Sequence, residues 1–423
     1  MKVLVVGNGG REHALAWKLL QSPQVKRCWC VPGNGGTALL ERCENIPLAV
    51  EDIEGITQVA IQNKVDLVVV GPEVPLSLGI SDLLREKDIP VFGPTQLGAK
   101  LESSKSWAKS LMTEAGVPIA KGKSFTNAVE AKAYITQQET PIVVKADGLA
   151  SGKGVIVAQT ASEAYAAVDY LFKAGFSPIL VEEYLIGEEV SILAITDGIT
   201  VRSLLPAQDH KRIGEGDIGL NTGGMGAYCP APIATSDLLQ RVDKEILQPT
   251  VAALRNRGID YRGVLYAGLM ISPQGEPKVL EYNCRFGDPE TQVVLPLLKT
   301  PLDQVILACV QQRLEEFPPL CWHLGTAVCV VVASSGYPGK YKKGKLITGI
   351  QEAEAIGVTV FQAGTALEGD RLITDGGRVL GVTAIRENFS EAITEVYQGV
   401  DCINFDEQYY RRDIGYRAQS RKD

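Results

Sequence analysis

Runs of almost entirely apolar residues alternate with amphipathic segments along the first hundred residues of the chain. The runs Val3–Val6, Val65–Val70 and Ile89–Phe92 are each followed by a glycine. Between them, Glu12–Gln21 and Ser77–Lys87 space their apolar residues like one face of a helix. Strands of a parallel sheet are covered on both faces and therefore show continuous hydrophobicity. We predict an open α/β sheet with ligand-binding turns at the carboxyl ends of its strands.

A glycine-rich loop separates the next two strand-like runs. Ile142–Lys145 and Val155–Ala158 flank the segment 146–154, which contains three glycines and a lysine. Because the second flank predicts a strand and not a helix, the unit is a hairpin and not a P-loop. Two later runs, Ile179–Tyr184 and Val190–Thr196, are predicted to complete a small α+β module with this hairpin.

The remaining segments predict one helix, one long loop and several strands. A helix is expected from Thr95 to Ala115, and residues 206–232 predict a long irregular loop, which in a compact domain is usually functional or disordered. Strand-like segments indicate a β-rich region from residue 325 onward. The strands predicted in the second half are Val264–Ile271, Lys278–Asn283, Thr326–Val332 and Arg378–Thr383.

Composition describes an ordinary globular protein and excludes some functions. Its 423 residues are 45% hydrophobic and 22% charged, which predicts roughly two to four domains. A net charge of −8 argues against sequence-independent nucleic-acid binding, and no apolar run reaches the ~18 residues of a membrane span. The N-terminus lacks the features of a signal peptide. The nine cysteines lack paired CxxC spacing, so we interpret them as reduced thiols of a cytoplasmic protein.

The turn after the first strand resembles a dinucleotide-binding fingerprint with one unsuitable residue. Glu12 occupies the third glycine position, where it would crowd the helix and face a pyrophosphate. A site for a single phosphate at the helix N-terminus, assisted by Arg11, and a plain structural turn remain as alternatives. Glu73, in the turn after the second run, could accept hydrogen bonds from ribose hydroxyls. The candidate substrate residues at this edge are Gly9, Gly10, Arg11, Glu12, Pro72 and Glu73.

Two further segments suit a nucleotide. Glycines 148, 152 and 154 expose backbone N–H groups to phosphates, and Lys145 and Lys153 add cations. The structural alternative is a surface hairpin turn. After the strand at 179–184, the segment 182–189 could bind an adenine edge and ribose hydroxyls, although alone it resembles an exposed acidic turn.

The segment 281–290 carries the most chemistry. Residues 281, 283 and 285 share one face of a strand, so Glu281 and Asn283 present neighbouring oxygen ligands for Mg²⁺. Arg285 could hold a phosphoryl group or a carboxylate with two hydrogen bonds. A salt-bridged strand surface is the structural alternative.

The predicted loop 206–232 is dense in charged residues and glycines. Such density suggests a loop that organises substrate. His210 could act as a base, but a hydrogen-bonding role is the preferred interpretation. The candidate substrate residues in and near this loop are Asp209, Asn221, Thr222, Gly223, Gly224 and Met225.

Eight segments, taken in order, resemble the phosphoribosylamine–glycine ligase family almost end to end. They are GNGGREHALAW, GPEVPL, KADGLASGKGV, QDHKR, NTGGMGAY, EYNCRFGDPETQ, GGRVLGVTA and RDIGYRA. The resemblance implies an ATP-grasp fold of the α/β and α+β class. It places a Rossmann-like domain at 1–103, an ATP-grasp domain at 104–324 with a mobile lid at about 122–192, and a β-rich domain at 325–423.

The resemblance also implies residue roles. For ATP it indicates Lys105, Lys145, Gly148, Ser151, Gly152, Lys153, Gly154, Glu182, Tyr184, Leu185 and one of Glu188 and Glu189. It places the metal on Glu281 and Asn283, the substrate on the residues named above with Arg285 and Asp288, and catalysis on Arg285, Lys145 and Lys153.

The chain departs from the family pattern at two places. Leu220 stands where proline is expected, and the strand Tyr266–Met270 lacks the carboxylate that many ATP-grasp ligases carry. The ligands of a second metal ion are therefore left open.

The implied reaction joins glycine to phosphoribosylamine through glycyl phosphate, with ATP as substrate and Mg²⁺ or Mn²⁺ as cofactor. We expect a monofunctional cytoplasmic enzyme with small-molecule substrates and no nucleic-acid or membrane partner. A monomer is expected, with a weak dimer as the alternative. The competing hypotheses are an ATP-grasp ligase for another acid or amine, an ATP-binding sensor, and a dehydrogenase.

Overall fold

The computed structural model describes residues 1–149 and 154–419. Its first part is a parallel sheet with the strand order β3-β2-β1-β4-β5, as predicted. The strands are β1 (Lys2–Gly7), β2 (Arg27–Pro32), β3 (Cys43–Asn45), β4 (Leu67–Val70) and β5 (Val91–Phe92). The accompanying helices are α1 (Gly10–Leu20), α2 (Gly35–Leu39), α3 (Ile53–Asn63), α4 (Glu73–Leu78) and α5 (Ile80–Arg85).

The single helix predicted from Thr95 to Ala115 is wrong, because the structure has two helices there. These are α6 (Gln96–Ser103) and α7 (Lys105–Glu114). Ser104 adopts an extended conformation with φ −142°, and its side chain accepts a hydrogen bond from the Trp107 N–H. Serine favours such a cap over a helix interior. The break sets Glu102 and Lys105 on separate helices.

Residues 122–183 form a unit that we call the lid module. Its sheet has the order β6-β9-β7-β8, and β7 and β8 pair antiparallel as the predicted hairpin. The module has its own cluster of buried apolar side chains, which includes Phe125, Val168 and Ile179. Its elements are β6 (Gly122–Phe125), α8 (Ala128–Ile135), β7 (Ile142–Ala146), β8 (Val155–Ala158), α9 (Ala161–Lys173) and β9 (Ile179–Glu183).

A four-stranded antiparallel sheet with the order β11-β10-β16-β17 forms the centre. The strands of the region are β10 (Glu188–Thr196), β11 (Val201–Ser203), β12 (Gln208–Asp209), β13 (Arg212–Gly214), β14 (Ile218–Asn221), β15 (Gly226–Cys229), β16 (Gly263–Ile271) and β17 (Pro277–Asn283). The helices are α10 (Ser236–Val242), a π-helical turn (Asp243–Leu247), α11 (Gln248–Asn256), α12 (Thr291–Leu297) and α13 (Leu302–Val310).

Two expectations for this region are wrong. The run Val190–Thr196 does not complete the lid module, because β10 pairs with β11 and β16 and not with β9. Residues 206–232 are not one irregular loop, because they contain four short strands. These strands are only two to four residues long, too short to show a period. The predicted hairpin of β16 and β17 is confirmed.

The last part is built on a sheet with the order β12-β15-β18-β22-β19. Strand β23 adds to β18 at one end, and β15, from residues 226–229, pairs antiparallel with β18. The elements are β18 (Thr326–Ser334), α14 (Ile350–Ala355), β19 (Thr359–Gln362), β20 (Thr365–Glu368), β21 (Arg371–Thr374), β22 (Arg378–Arg386), α15 (Phe389–Cys402), β23 (Gln408–Tyr409) and α16 (Tyr416–Gln419). Within residues 1–149 and 154–419, no helix has the length and apolar character required to span a bilayer.

Candidate active site

The turn after β1 is filled by the side chain of Glu12. Its carboxylate accepts hydrogen bonds from the Gly9 N–H at 2.6 Å and from Arg11 Nε at 2.5 Å. A Cβ added at Gly71, after β4, would lie 2.0 Å from Glu12 Oε1. The carboxylate thus occupies the space between two strand ends that a dinucleotide pyrophosphate would need, which argues against the dehydrogenase hypothesis.

Arg11 and Asp288 join this turn to the end of β17. Arg11 Nη1 donates to the Phe286 carbonyl at 3.0 Å, and the Arg11 N–H donates to Asp288 Oδ2 at 3.3 Å. Asp288 also lies 3.2 Å from Arg378 Nη1. Although burial acts to raise it, the charges of Arg378 and Arg11 hold the pKa of Asp288 below its ordinary value. Sequence reasoning missed Arg378, which lies ninety residues away in β22.

Arg285 lies between two carboxylates. Its Nε is 3.3 Å from Glu73 and its Nη2 is 2.8 Å from Glu102. Glu102 also accepts from the Cys284 N–H at 2.8 Å. Although burial acts to lower it, these carboxylates raise the pKa of Arg285. Glu73 therefore positions the guanidinium, and Glu102, which the sequence did not single out, is its second partner.

Lys145 connects the lid module to the central sheet. Its Nζ lies 2.7 Å from Glu182 and donates to the Leu280 carbonyl at 3.2 Å. Lys109 Nζ contacts the same Glu182 carboxylate at 2.6 Å. Although burial acts to raise it, the two lysines lower the pKa of Glu182. The end of the glycine hairpin thus lies directly on β17.

The described part of the glycine loop is held close to Lys105. Lys105 Nζ donates to the Gly148 carbonyl at 2.9 Å, and Gly148 has a φ of 103°, a conformation that favours glycine. On the far side of the loop, the Gly154 carbonyl accepts from the Ala146 N–H at 2.7 Å. The predicted contacts of Ser151, Gly152 and Lys153 lie outside the described residues.

Glu281 and Asn283 alternate with buried neighbours along β17. Glu281 is exposed and Asn283 half-buried, while Tyr282 and Cys284 are buried. Glu281 forms no ion pair in the described ranges. It is nevertheless close to Lys105: burial lowers the pKa of Lys105, and the negative charge of Glu281 opposes that shift. Gly268 is its partner on β16, so that strand offers no carboxylate here.

Four charged residues form a second cluster, within electrostatic range of Glu281. Lys211 Nζ is 2.5 Å from Glu189, and both Glu189 and Asp209 raise the pKa of Lys211 although burial acts to lower it. Glu290 is buried and accepts from Tyr266 Oη at 2.5 Å. Burial raises the pKa of the Asp209 carboxyl to about 7.

The raised pKa of Asp209 makes stability depend on pH. The folded chain keeps this proton up to about pH 7 whereas an unfolded carboxyl loses it near its ordinary value of 3.8. Stability should therefore fall as pH rises through that window and stay level above it, with a span on the order of 4 kcal/mol. Asp209→Asn, which is neutral at every pH, should lack this component. Urea unfolding of both proteins between pH 4.5 and 8 measures the difference; parallel profiles would contradict the shift.

The remaining predicted residues differ in how close they lie to this cluster. Thr222 and Gly223 make backbone hydrogen bonds to Lys211 and to Arg378, respectively. The Met225 side chain is buried in the apolar core, and Asn221 is exposed. Gly224 is buried, and a Cβ added there would lie 2.4 Å from Pro289.

Three other predictions concern positions at the edges of the site. His210 is fully buried and accepts a hydrogen bond from the Gly415 N–H at 2.9 Å. This fits the hydrogen-bonding role preferred for His210 and does not fit a role as catalytic base. Tyr184 is 43% exposed. The segment from Tyr184 through Leu185 to Glu188 joins the lid module to β10. Pro72 precedes the first turn of α4.

Three domain models of one family together match most of the chain. These are the phosphoribosylglycinamide synthetase N domain at residues 1–102, ATP-grasp (A) domain at 103–291 and C domain at 327–417. A phosphoribosylamine–glycine ligase from Nostoc sp. is 63% identical and covers 99% of this chain and 100% of its own length.

Solved structures agree with these matches. The crystal structure of phosphoribosylamine–glycine ligase from Thermotoga maritima is 33% identical, with a TM-score of 0.84, and the match covers 98% of this chain and 100% of that one. A biotin carboxylase from Campylobacter jejuni, 14% identical over 97% of this chain and 92% of its own, has a TM-score of 0.73 and shows the fold alone. The expected ATP-grasp fold is confirmed.

Proposed function

This chain belongs to the phosphoribosylglycinamide synthetase family, and from that premise we propose how its residues carry out the reaction. The chain is an ATP-dependent ligase of purine biosynthesis that joins glycine to phosphoribosylamine. In the first step a glycine carboxylate oxygen attacks the γ-phosphorus of ATP, and ADP leaves. In the second step the amine of phosphoribosylamine attacks the carbonyl of glycyl phosphate, losing a proton and releasing phosphate.

One contact supports this assignment more than any other. The hydrogen bond from Lys145 Nζ to the Leu280 carbonyl, at 3.2 Å, holds the glycine hairpin against the strand of Glu281 and Asn283. Phosphates that lie under the hairpin would therefore meet metal ligands on the strand below. Phosphoryl transfer needs this combination, because positioning and charge neutralisation dominate its catalysis.

The nucleotide is proposed to lie between the lid module and the central sheet. Lys105 and Lys145 would face the phosphates, together with the glycine loop. Lys145 is kept in place by Glu182, which also contacts Lys109. The adenosine would lie along the segment 184–189, between β9 and β10.

Glu281 and Asn283 are proposed to hold Mg²⁺ or Mn²⁺. A carboxylate and an amide oxygen suit a hard cation, and the exposed Glu281 makes no competing ion pair within the described ranges. When bound, the ion would neutralise phosphate charge.

The two substrates are proposed to lie between the end of β17 and the N-terminal sheet. Arg285, fixed by Glu73 and Glu102, would hold the glycine carboxylate or the transferred phosphoryl group. Phosphoribosylamine would lie beside the turn at residues 9–12, whose interior the Glu12 carboxylate fills. Asp288 and Arg378 border the space between these groups.

Glu281→Gln should raise the Mg²⁺ concentration for half-maximal rate by at least about tenfold, since the charged ligand is lost. Titrating MgCl₂ at saturating ATP measures this. Glu276→Gln, an exposed carboxylate on the turn before β17 that pairs with Arg241, is the matched control and should titrate like wild type. An unchanged Glu281→Gln titration would remove Glu281 from the metal site.

Purified chain, ATP and single amino acids test the function directly. Glycine together with phosphoribosylamine should release ADP and phosphate one for one, whereas alanine, serine or aspartate should not. ADP release with another amino acid would favour an ATP-grasp ligase for a different acid. ATP binding without release of ADP would favour an ATP-binding sensor. We propose that the protein is cytoplasmic and monomeric. Sedimentation of the free chain would test whether it is a monomer.

A further inference from the structure

Three cysteines meet at the far edge of the N-terminal sheet, away from the proposed active site. Cys28 and Cys30 lie on one face of β2, two residues apart, and Cys43 lies on the neighbouring strand β3 as the register partner of Cys28. Their sulfur atoms all lie within 4.8 Å of one another, and Cys30 Sγ is 3.6 Å from Cys43 Sγ. All three are free thiols.

The three sulfurs lie at the boundary between an apolar cluster and the solvent. Cys28 and Cys30 are fully buried in an apolar cluster with Val3, while Cys43 is half-buried. Cys43 therefore gives access from solvent.

The spacing suits a metal ion with three sulfur ligands. Metal–sulfur bonds of about 2.3 Å hold sulfurs roughly 4 Å apart around a trigonal ion, so only small side-chain rotations are needed. No further histidine, cysteine or carboxylate among the described residues joins the group. Structural zinc requires four ligands, whereas soft thiolates also select Cu(I), which accepts three.

We propose that Cys28, Cys30 and Cys43 form a trigonal thiolate site for a thiophilic monovalent ion, Cu(I). Binding is ligand exchange. Copper stays Cu(I), three Cu–S bonds replace its bonds to the donor ligand, and each ligating thiol that still carries a proton releases it to solvent. The site would tie β3 to β2 through bonds stronger than the hydrogen bonds that now join these strands.

Competition for Cu(I) under anaerobic, reducing conditions tests the proposal on the whole chain. Protein is titrated into the Cu(I)–bicinchoninate complex, and loss of the complex's colour reports transfer. Wild type should take up one equivalent, and Cys43→Ser should bind at least about 100-fold more weakly because one of three ligands is gone. Cys402→Ser is the matched control, since Cys402 is another half-buried free thiol, outside the cluster.

X-ray absorption of the one-equivalent complex should show three sulfur neighbours. Equal affinity of wild type and Cys43→Ser, or loss of binding in Cys402→Ser, would overturn the proposal, as would a site with two sulfurs. A Zn²⁺ titration as tight as that of Cu(I) would also overturn the choice of ion. Cys43 is half-buried, so Cys43→Ser should fold, which circular dichroism checks. Ligase turnover plays no part in these readouts, so failure here leaves the proposed function untouched.

Discussion

Arg285→Ala is expected to reduce glycine-dependent ADP release by at least about a thousandfold, since removing one preorganised donor from a developing charge costs about 10²–10³ and Arg285 provides two donors. The guanidinium is positioned by Glu73 and Glu102. With the arginine gone, their carboxylates would also repel the incoming anion. Steady-state ADP release with saturating glycine and phosphoribosylamine measures the loss.

The same substitution should destabilise the fold, so stability and catalysis must be separated. Removing one partner from a buried ion pair costs about 3–5 kcal/mol, because the other charge stays buried without its partner. Here the remaining charge is Glu102, whose pKa burial already raises. The double variant Arg285→Ala/Glu102→Gln removes the buried charge and should recover most of the stability but none of the turnover. If the double variant recovered both stability and turnover, the role of Arg285 would be structural and not catalytic.

Arg257→Ala is the matched control for charge. Arg257 pairs with Glu114, at the surface, and contacts Trp107. Exposed ion pairs contribute about 0–1 kcal/mol, so both stability and turnover should stay close to wild type. Near-normal turnover of Arg285→Ala itself would remove Arg285 from the site.

Lys145→Met should lower kcat/KM for ATP by about 10²–10³-fold, because it removes the cation that we propose faces the phosphates. Methionine keeps the length and apolar stem of lysine. Lys109 still neutralises Glu182 at 2.6 Å, so the lid module should remain folded. Initial rates over a range of ATP concentrations, with circular dichroism of the same samples, give the measurement.

Lys132→Met, in the same module, is the control for a lost lysine. Lys132 pairs with Asp169 on the outer surface, where the two side chains are 34% and 60% exposed. Its removal should leave kcat/KM unchanged. If Lys132→Met and Lys145→Met lowered kcat/KM equally, the loss would come from a less stable lid module and not from a lost contact with the phosphates.

The elements that the sequence predicted well have a strong local pattern. The parallel strands β1 and β4 are continuous apolar runs, and the hairpin of β16 and β17 has a polar turn between two long runs. The alternation of Glu281, Tyr282 and Asn283 follows from the two-residue period of a strand. These features depend on neighbours in the sequence, so the sequence predicts them.

The parts that were not predicted depend on distant contacts. Glu102 has no local sign of function, and its role follows from Arg285, which lies far along the chain. The sheet that β10 joins depends on its partner β16, and an apolar run does not specify a partner. The cysteine group is likewise invisible in spacing, because Cys43 is brought to Cys28 by strand pairing.

The pairing of β15 with β18 has a consequence for how the chain is made. The two strands, at 226–229 and 326–334, are separated by about a hundred residues, which a ribosome adding roughly 5–20 residues per second produces in about 5–20 s. During that interval the nascent β15 has an open edge that no later strand yet covers. The sheet that contains β15 therefore cannot finish folding before residues 326–334 have been translated, and chaperones that shield open strand edges should engage the chain in that interval.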